Sequence, residues 1–343
     1  MSMRLFWHAV CVSALAMSSA QAQTVEEFYR RSVLTIIVGT DAGGAHDAYA
    51  RVLARHIGRH IPGNPNVIVQ NMGGAGGVVA ANHLSNVASK DGAIIGAIFP
   101  GSVIEPLLQE GDQAKYDPRQ INWIGNIASL QLTCVTWHTS PVKTVDQARA
   151  REVVMGGESP AAGTGILPNV MNQLLGTKFK LITGYATSVL RLALERGEVE
   201  GICGFAYATI VATAPAWIND KRLNFLAQSG LERAPDLPDV PLIRDFAGNA
   251  EDAAVFRLLD IRSALGRPYL APPGVPADRL AALRGAFART MKDPEYLAET
   301  AKAKQDVDFL DAKGMLAVVQ EAYAMSPQVV ERVKGLIRPP KAP

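Results

Sequence analysis

The sequence predicts an α/β protein of two lobes joined by two crossings, with a cleft between them. Three observations carry this. Short apolar, β-branched runs alternate with stretches whose apolar residues recur at helical spacing, the pattern of βαβ units and a largely parallel sheet. The alternation breaks and restarts near residue 120. A proline-rich stretch, "RAPDLPDVPLI" at 233–243, then leads into further helices, which reads as a return to the first lobe. The expected bounds are 23–130 and 231–343 for lobe 1 and 131–230 for lobe 2, and 343 residues suffice for about two domains.

The first unit opens with "VLTIIVG", a strand that runs through a glycine loop into residues 45–60. There Tyr49, Val52, Leu53, His56 and Ile57 fall on one helical stripe. "NVIVQN" follows as a strand, "MGGAGG" as a loop, then a helix with Ala80, Leu84, Val87 and Ala88 on one face, then the strand "AIIGAIF". After the break come the strands "INWIGNIAS" and "QLTCVTWH", with "SPVKTVDQARA" beginning a short helix. "EVVMGG" passes through "ESPAAGTG" into the helix "ILPNVMNQLLG", and "FKLITGY" passes through "ATS" into "VLRLALERG". "VEGICGF" and "LNFLAQ" close that unit. Beyond the return, "LGRPYLAPPGVP" is extended, and 277–304 and 312–334 read as helices.

Residues 1–22 stand apart from the fold. Basic "MSMR", apolar "LFWHAVCVSALAM" and the A-x-A spacing of Ala20 and Ala22 form a cleaved secretory signal, with the cut after Ala22. The apolar run is shorter than the roughly 20 residues of a membrane span. The expected location is therefore the periplasm of a Gram-negative cell. The formal charge is +2, and loss of Arg4 leaves +1. No basic cluster interleaved with aromatics suggests nucleic acid. Cys134 and Cys203 remain after cleavage, both in strand-like runs; export permits a disulfide, and the residues leave open whether they meet.

Three strand-to-helix loops of small residues, 39–47, 156–165 and 184–188, are the candidate site. Glycine lets a ligand approach the backbone, and a helix start presents unpaired N–H groups at the positive end of the helix dipole. Such loops lie outside the carboxyl ends of the strands, where α/β sheets bind ligands. Other readings fail on their chemistry. "NMGGAGGVVAAN" puts Val79 where a dinucleotide fingerprint needs its third glycine, and no acidic residue follows for a ribose. His56 and His60 share a helix face but lack the glutamate and third ligand of a metalloprotease, so no metal is expected. "GESPA" puts Pro160 where a hydrolase would need an N–H after Ser159. Asp47 is read as a brace for its loop and His46 as a donor to a ligand oxygen.

The ordered set "IIVGTDAGGAHDAYARVLARHI", "VIVQNMGGAGGVVAANHL", "KDGAIIGAI", "GTGILPNVMNQLLGTKFKLITGY", "ALERGEVEGICG", "APDLPDVPLI" and "APPGVPADRLAALRGAFARTMKDPEYL" resembles the tripartite tricarboxylate transporter substrate-binding proteins, the Bug or TctC-like receptors. The resemblance covers nearly the whole chain after residue 22. It implies a type II periplasmic-binding-protein fold with two Rossmann-like lobes. It also implies a non-enzymatic, monomeric receptor without cofactor, which hands a small organic acid to a permease of one large and one small membrane subunit. Family ligands are held by backbone amides, hydroxyls and waters, which matches the absence of an obvious arginine clamp. Carried onto this chain, the ligand loops hold Thr40, Asp41, Gly43, Gly44, His46 and Asp47, then Ser159, Gly163 and Thr164, then Tyr185, Thr187 and Ser188. Relatives usually have proline where Asp41 or Ala42 stands, and Tyr-Lys-Gly where "GYATS" stands. An extra acid near the mouth favours a mono- or dicarboxylate over a tri-anion. The alternatives are a secreted α/β enzyme acting on a small carboxylic acid, or a sensing receptor with no uptake role.

Overall fold

The computed structural model describes residues 23–108, 113–160 and 162–337. The signal segment 1–22 lies outside the described residues. Two sheets organise the rest. The first has the order β11-β4-β10-β3-β1-β2, from β1 (Val33–Val38), β2 (Asn66–Asn71), β3 (Ile94–Ala97), β4 (Asn122–Asn126), β10 (Pro268–Ala271) and β11 (Leu310–Asp311). The second has the order β7-β6-β8-β5-β9, from β5 (Leu132–Trp137), β6 (Val153–Gly157), β7 (Phe179–Thr183), β8 (Gly201–Ala206) and β9 (Leu223–Ser229). β1 is parallel to β2 and β3, and β6 to β7 and β8. The late strand β10 runs antiparallel between β3 and β4. Helices cover both faces of β1, so Leu34, Ile36, Ile37 and Val38 are all buried and the strand reads as one apolar run. β2, at the sheet edge, buries none of its residues fully.

The chain leaves the first sheet after β4 and returns after β9. The outbound crossing is tied to the returning chain: Ile127 N–H donates to the Arg267 carbonyl (3.0 Å) and Leu130 N–H to that of Ser263 (2.9 Å). The inbound crossing starts at Ser229, whose hydroxyl donates to Asp260 at 2.5 Å. Arg244 spans Asp260 and the Gly230 and Leu231 carbonyls. Burial pushes the Asp260 carboxyl up to about 6 against the pull of Ser229 and Arg244. Asp260 and Ser263 sit on the helix Ala250–Ala264, so one helix backs both crossings.

That helix is absent from the sequence reading, as is Pro100–Leu108. The two long C-terminal stretches also divide, into Ala277–Thr290 with Pro294–Lys302 and Ala312–Tyr323 with Pro327–Ile337. Pro294 and Pro327 each open the later helix, since proline lacks the N–H that a continuing helix would use and fits a first turn. His56 and His60 meet carboxylates of this region, with Nε2 at 2.5 Å from Glu299 and 2.7 Å from Asp293. In the second sheet Cys134 lies opposite Cys203, and the two fully buried residues are joined as a disulfide between β5 and β8.

Candidate functional site

Four helices begin where the two sheets face each other, and none has a side-chain cap: Ala45–Ile57 after Gly44, Gly163–Leu175 after Ala162, Thr187–Glu195 after Ala186, and Tyr207–Thr213 after Ala206. Elsewhere Thr24, Thr144, Asn249, Asp293 and Asp311 each accept a hydrogen bond from the first turn of the helix they precede, while Val78–Asn86, Pro215–Asn219 and Ala277–Thr290 also start without a side-chain cap. The first N–H groups of a helix have no partner within it, so a start lacking a polar cap leaves them for another acceptor.

A cavity of about 380 Å³ lies between the sheets. Phe99, Pro100 and Gly101 form one wall, Glu158, Gly163 and Thr164 the opposite one, and Leu259, Arg262 and Ser263 the back, alongside Ser229 and Leu130 of the crossings. The wall around Gly163 is tightly built. Thr164 Oγ1 accepts from Glu158 N–H at 2.9 Å, and Ser159 Oγ accepts from Ala162 N–H at 3.1 Å. Gly204, within β8 with φ +79°, lies flat against this turn; a Cβ there would sit 2.2 Å from the Gly163 carbonyl oxygen. The loop after β7 docks on the same turn, with Gly184 N–H on the Glu158 carbonyl (3.0 Å) and Tyr185 N–H on that of Gly157 (3.3 Å).

The first glycine loop is held from inside. Asp47 is buried and accepts from Gly43 N–H (2.8 Å), Arg51 Nε (2.9 Å) and Asn71 Nδ2 (3.0 Å). Arg51 above all, with Gly43 and Asn71, holds its carboxyl down at about 2. Asn71 also donates to the Thr40 carbonyl at 3.1 Å. Gly43 takes the left-handed φ of +85° that the turn demands, whereas Gly44 is extended, at φ −79°. His46 is buried against Phe99, ring centroids 5.2 Å apart, and bonds the Gly266 carbonyl. Burial, reinforced by Arg267, pushes its pKa down to about 3, so the ring is neutral; its Nε2 is buried without a partner.

Of the twelve residues read from the sequence, Gly163 and Thr164 line this cavity. Ser159 serves the same turn through its hydroxyl. Tyr185 is half-buried on the apolar cluster of the second lobe. Thr40, Asp41, Gly43, Gly44, His46 and Asp47 lie at the head of the Ala45 helix and line no part of this cavity, although His46 touches its Phe99. Thr187 and Ser188 open their helix, and their side chains lie outside the described residues. The sequence reading did not find Phe99, Glu158, Thr209, Ser229, Leu259 or Arg262, all on the cavity wall. Nor did it see the arginines: Arg262 lines this cavity and Arg267 lines a second one of about 300 Å³ beside it. Arg262 comes from the stretch 250–264, where no element was read, and Arg267 from the start of the extended run "LGRPYLAPPGVP", which was not read as part of the site. Among the described residues no group of three or more His, Cys, Asp or Glu is placed to hold a metal ion, and no helix is long and apolar enough to cross a membrane.

Comparison with known proteins places this architecture. A Cupriavidus necator protein, described as the UPF0065 protein in the gbd 5′ region, is 26% identical over 338 residues, which is 95% of this chain and 94% of that protein. A TctC solute binding protein from Polaromonas shares the fold with a TM-score of 0.70 at 19% identity, over 90% of this chain and 99% of that one. R. palustris Rpa4515, solved with adipate, does so with a TM-score of 0.57 at 18% identity, over 89% and 98% of the two chains. Residues 49–335 match the family model described as the tripartite tricarboxylate transporter family receptor, from just past the first glycine loop to the last helix. The chain belongs to that receptor family.

Proposed function

We propose that the protein is an exported solute receptor, acting in the periplasm, that captures a small mono- or dicarboxylate between its lobes and delivers it to a two-subunit membrane permease. Lobe 1 comprises 23–130 and 231–343, and lobe 2 comprises 131–230. The observation that carries this reading is the Gly163 helix start: it has no side-chain cap and stands in the wall of a 380 Å³ cavity between the sheets. Exposed first-turn amides at the positive end of a helix attract a carboxylate, and the cavity volume is of the size that takes a small organic ligand. Arg262 on the back wall and Glu158 on the opposite one bring charge of both signs to the same space. The Ala45 helix supplies a second start of this kind from the opposite lobe, with Asp47 turned inward to hold its loop. Ligand bridging the two starts favours a closed form, the lobes moving about the crossings near Leu130 and Ser229.

A thermal-shift screen of residues 23–343 against mono-, di- and tricarboxylates, aromatic acids and amino acids tests this. A ligand at 100 times its Kd stabilises the fold by about 2.7 kcal/mol. The expected result is a raised midpoint with an organic acid, and its recovery unchanged after incubation. Consumption of the acid would establish an enzyme, and a silent screen on ligand-free protein would overturn the organic-anion assignment.

A further inference from the structure

We propose that Arg267 forms a second anion-binding subsite, in the cavity adjoining the first, for the far acidic group of a ligand that carries two. This rests on the reading of the cleft as an organic-anion receptor and narrows its ligand to a two-headed acid.

The second cavity, about 300 Å³, lies between the Ala45–Tyr49 turn, the outbound crossing, the Tyr207 helix and residues 303–306. Leu130, Ala206 and Thr209 line it as well as the first cavity, so the two adjoin across a shared wall. Arg267, just before β10, lines the second cavity. Its Nη1 donates to the Gly266 carbonyl at 2.6 Å, and its guanidinium carbon stands 4.9 Å from the centre of the Tyr49 ring, which fixes the plane of the fork. Its Nε is buried without a partner, and among the described residues no carboxylate lies within ion-pair distance. Other half-buried arginines differ: Arg244 reaches Asp260 and Arg257 reaches Glu321, each at 2.5 Å. The compensation of Arg267 is the electrostatic pull of Asp306 from beyond ion-pair distance; a buried cation so weakly compensated is costly, and a planar guanidinium fork matches a carboxylate better than any other side chain.

Arg279 also has a buried, unpartnered Nε, but it stacks on Phe28 at 3.6 Å and lines neither cavity. What distinguishes Arg267 is the open space in front of it. The acid of that space, Asp306, has its pKa raised, by burial above all and by Asp308, against the pull of Arg267. Its backbone carbonyl accepts from Tyr49 at 3.2 Å. Lys304 closes the mouth, its Nζ donating to the Ala212 carbonyl at 2.9 Å, and brings a second positive charge.

Titration calorimetry of residues 23–343 with succinate, glutarate, adipate and suberate, each beside the monocarboxylate of equal chain length, reads the subsite directly. The wild-type protein should prefer the diacid of at least one length by tenfold or more. Arg267→Gln should lose that preference while binding the monocarboxylate within about twofold of wild type, and Arg267→Lys should keep part of it. Circular dichroism and the melting midpoint verify that both variants fold. A preference that survives Arg267→Gln, or equal wild-type affinity for mono- and diacids, would overturn the subsite alone. Failure of the wild type to bind any acid of either series would overturn the receptor reading and the subsite with it.

Discussion

Replacing Gly204 by alanine tests whether the cavity wall depends on contact between β8 and the Gly163 helix start. The new Cβ would lie 2.2 Å from the Gly163 carbonyl oxygen, 2.5 Å from its carbonyl carbon and 3.0 Å from the Thr164 nitrogen, all backbone atoms that no side-chain rotation can clear. Relief requires the helix start to move by about 1 Å, given ordinary carbon–oxygen contact distances. The left-handed φ of +79° adds a further cost. Alanine in that conformation costs about 1–2 kcal/mol and overpacking typically about 1–3 kcal/mol, so the ligand-free protein should lose roughly 2–5 kcal/mol. A carboxylate on those amides would see hydrogen bonds stretched beyond their useful range. Loss of one charge-assisted bond, about 1.5–3 kcal/mol, weakens binding roughly 10- to 100-fold. Gly176→Ala is the control, since Gly176 has φ +69° with nothing within 4 Å of a Cβ, and so isolates backbone strain from the clash. Urea unfolding and calorimetry with the best acid from the screen should show Gly176→Ala losing only about 1 kcal/mol and no affinity. If Gly204→Ala matched that control in both measurements, the reasoning about the wall would be refuted.

Other predictions follow from the loop and the core. Asp47 has its folded pKa lowered to about 2, so its stabilisation is complete above the ordinary value of 3.8 and is lost as pH falls from there towards 2. Asp47→Asn should cost about 2 kcal/mol at pH 6, with the gap to wild type closing as pH falls in a series of urea titrations. The disulfide closes a separation of 69 residues, so Cys134→Ala with Cys203→Ala should lower stability by about 4 kcal/mol; an unchanged midpoint in reducing and oxidising buffer would contradict a joined pair. Gly43→Ala should destabilise the loop by about 1–2 kcal/mol through its positive φ. Gly44→Val should leave the melting midpoint nearly unchanged, because a Cβ there meets only the Asp41 carbonyl oxygen at 3.7 Å, and should abolish acid binding.

Apart from the two-residue β11, which was not read, the strands of both sheets and the helices that follow the glycine loops are visible in the sequence because each is one-sided or short and apolar. The helix Ala250–Ala264 escaped for the opposite reason. It buries Asp252, Val255, Phe256, Leu258, Leu259, Asp260 and Ile261, residues that point all round its axis, because it is packed between the sheets' connections and the C-terminal helices. A helix enclosed on several sides shows no apolar stripe. Its start signal was nevertheless present: Asn249 caps it by accepting from Asp252 N–H at 2.8 Å, and Glu251 and Asp252 fill the acidic first turn. The divided C-terminal helices were equally legible, since Asp293–Pro294 and Ser326–Pro327 each place a capping residue before a proline.

The site divides along the same line. A strand, a run of small residues and an amphipathic stretch reveal where a helix begins without a polar cap, and that much of the binding surface is local. The residues that face such a start are not local: Arg262 stands about 100 positions from Gly163, and Arg267 more than 200 from Ala45. They reach the cavities only because the returning chain adds β10 to the first sheet and lays the Ala250 helix behind both crossings. The glycine pair shows the limit from the other side. Its two members look equivalent in sequence, yet Gly43 spends its N–H on Asp47 and its φ on the turn, while Gly44 starts the helix. The pair therefore leaves one glycine with a structural duty and one open to a ligand. The two substitutions at 43 and 44 should accordingly separate stability from affinity.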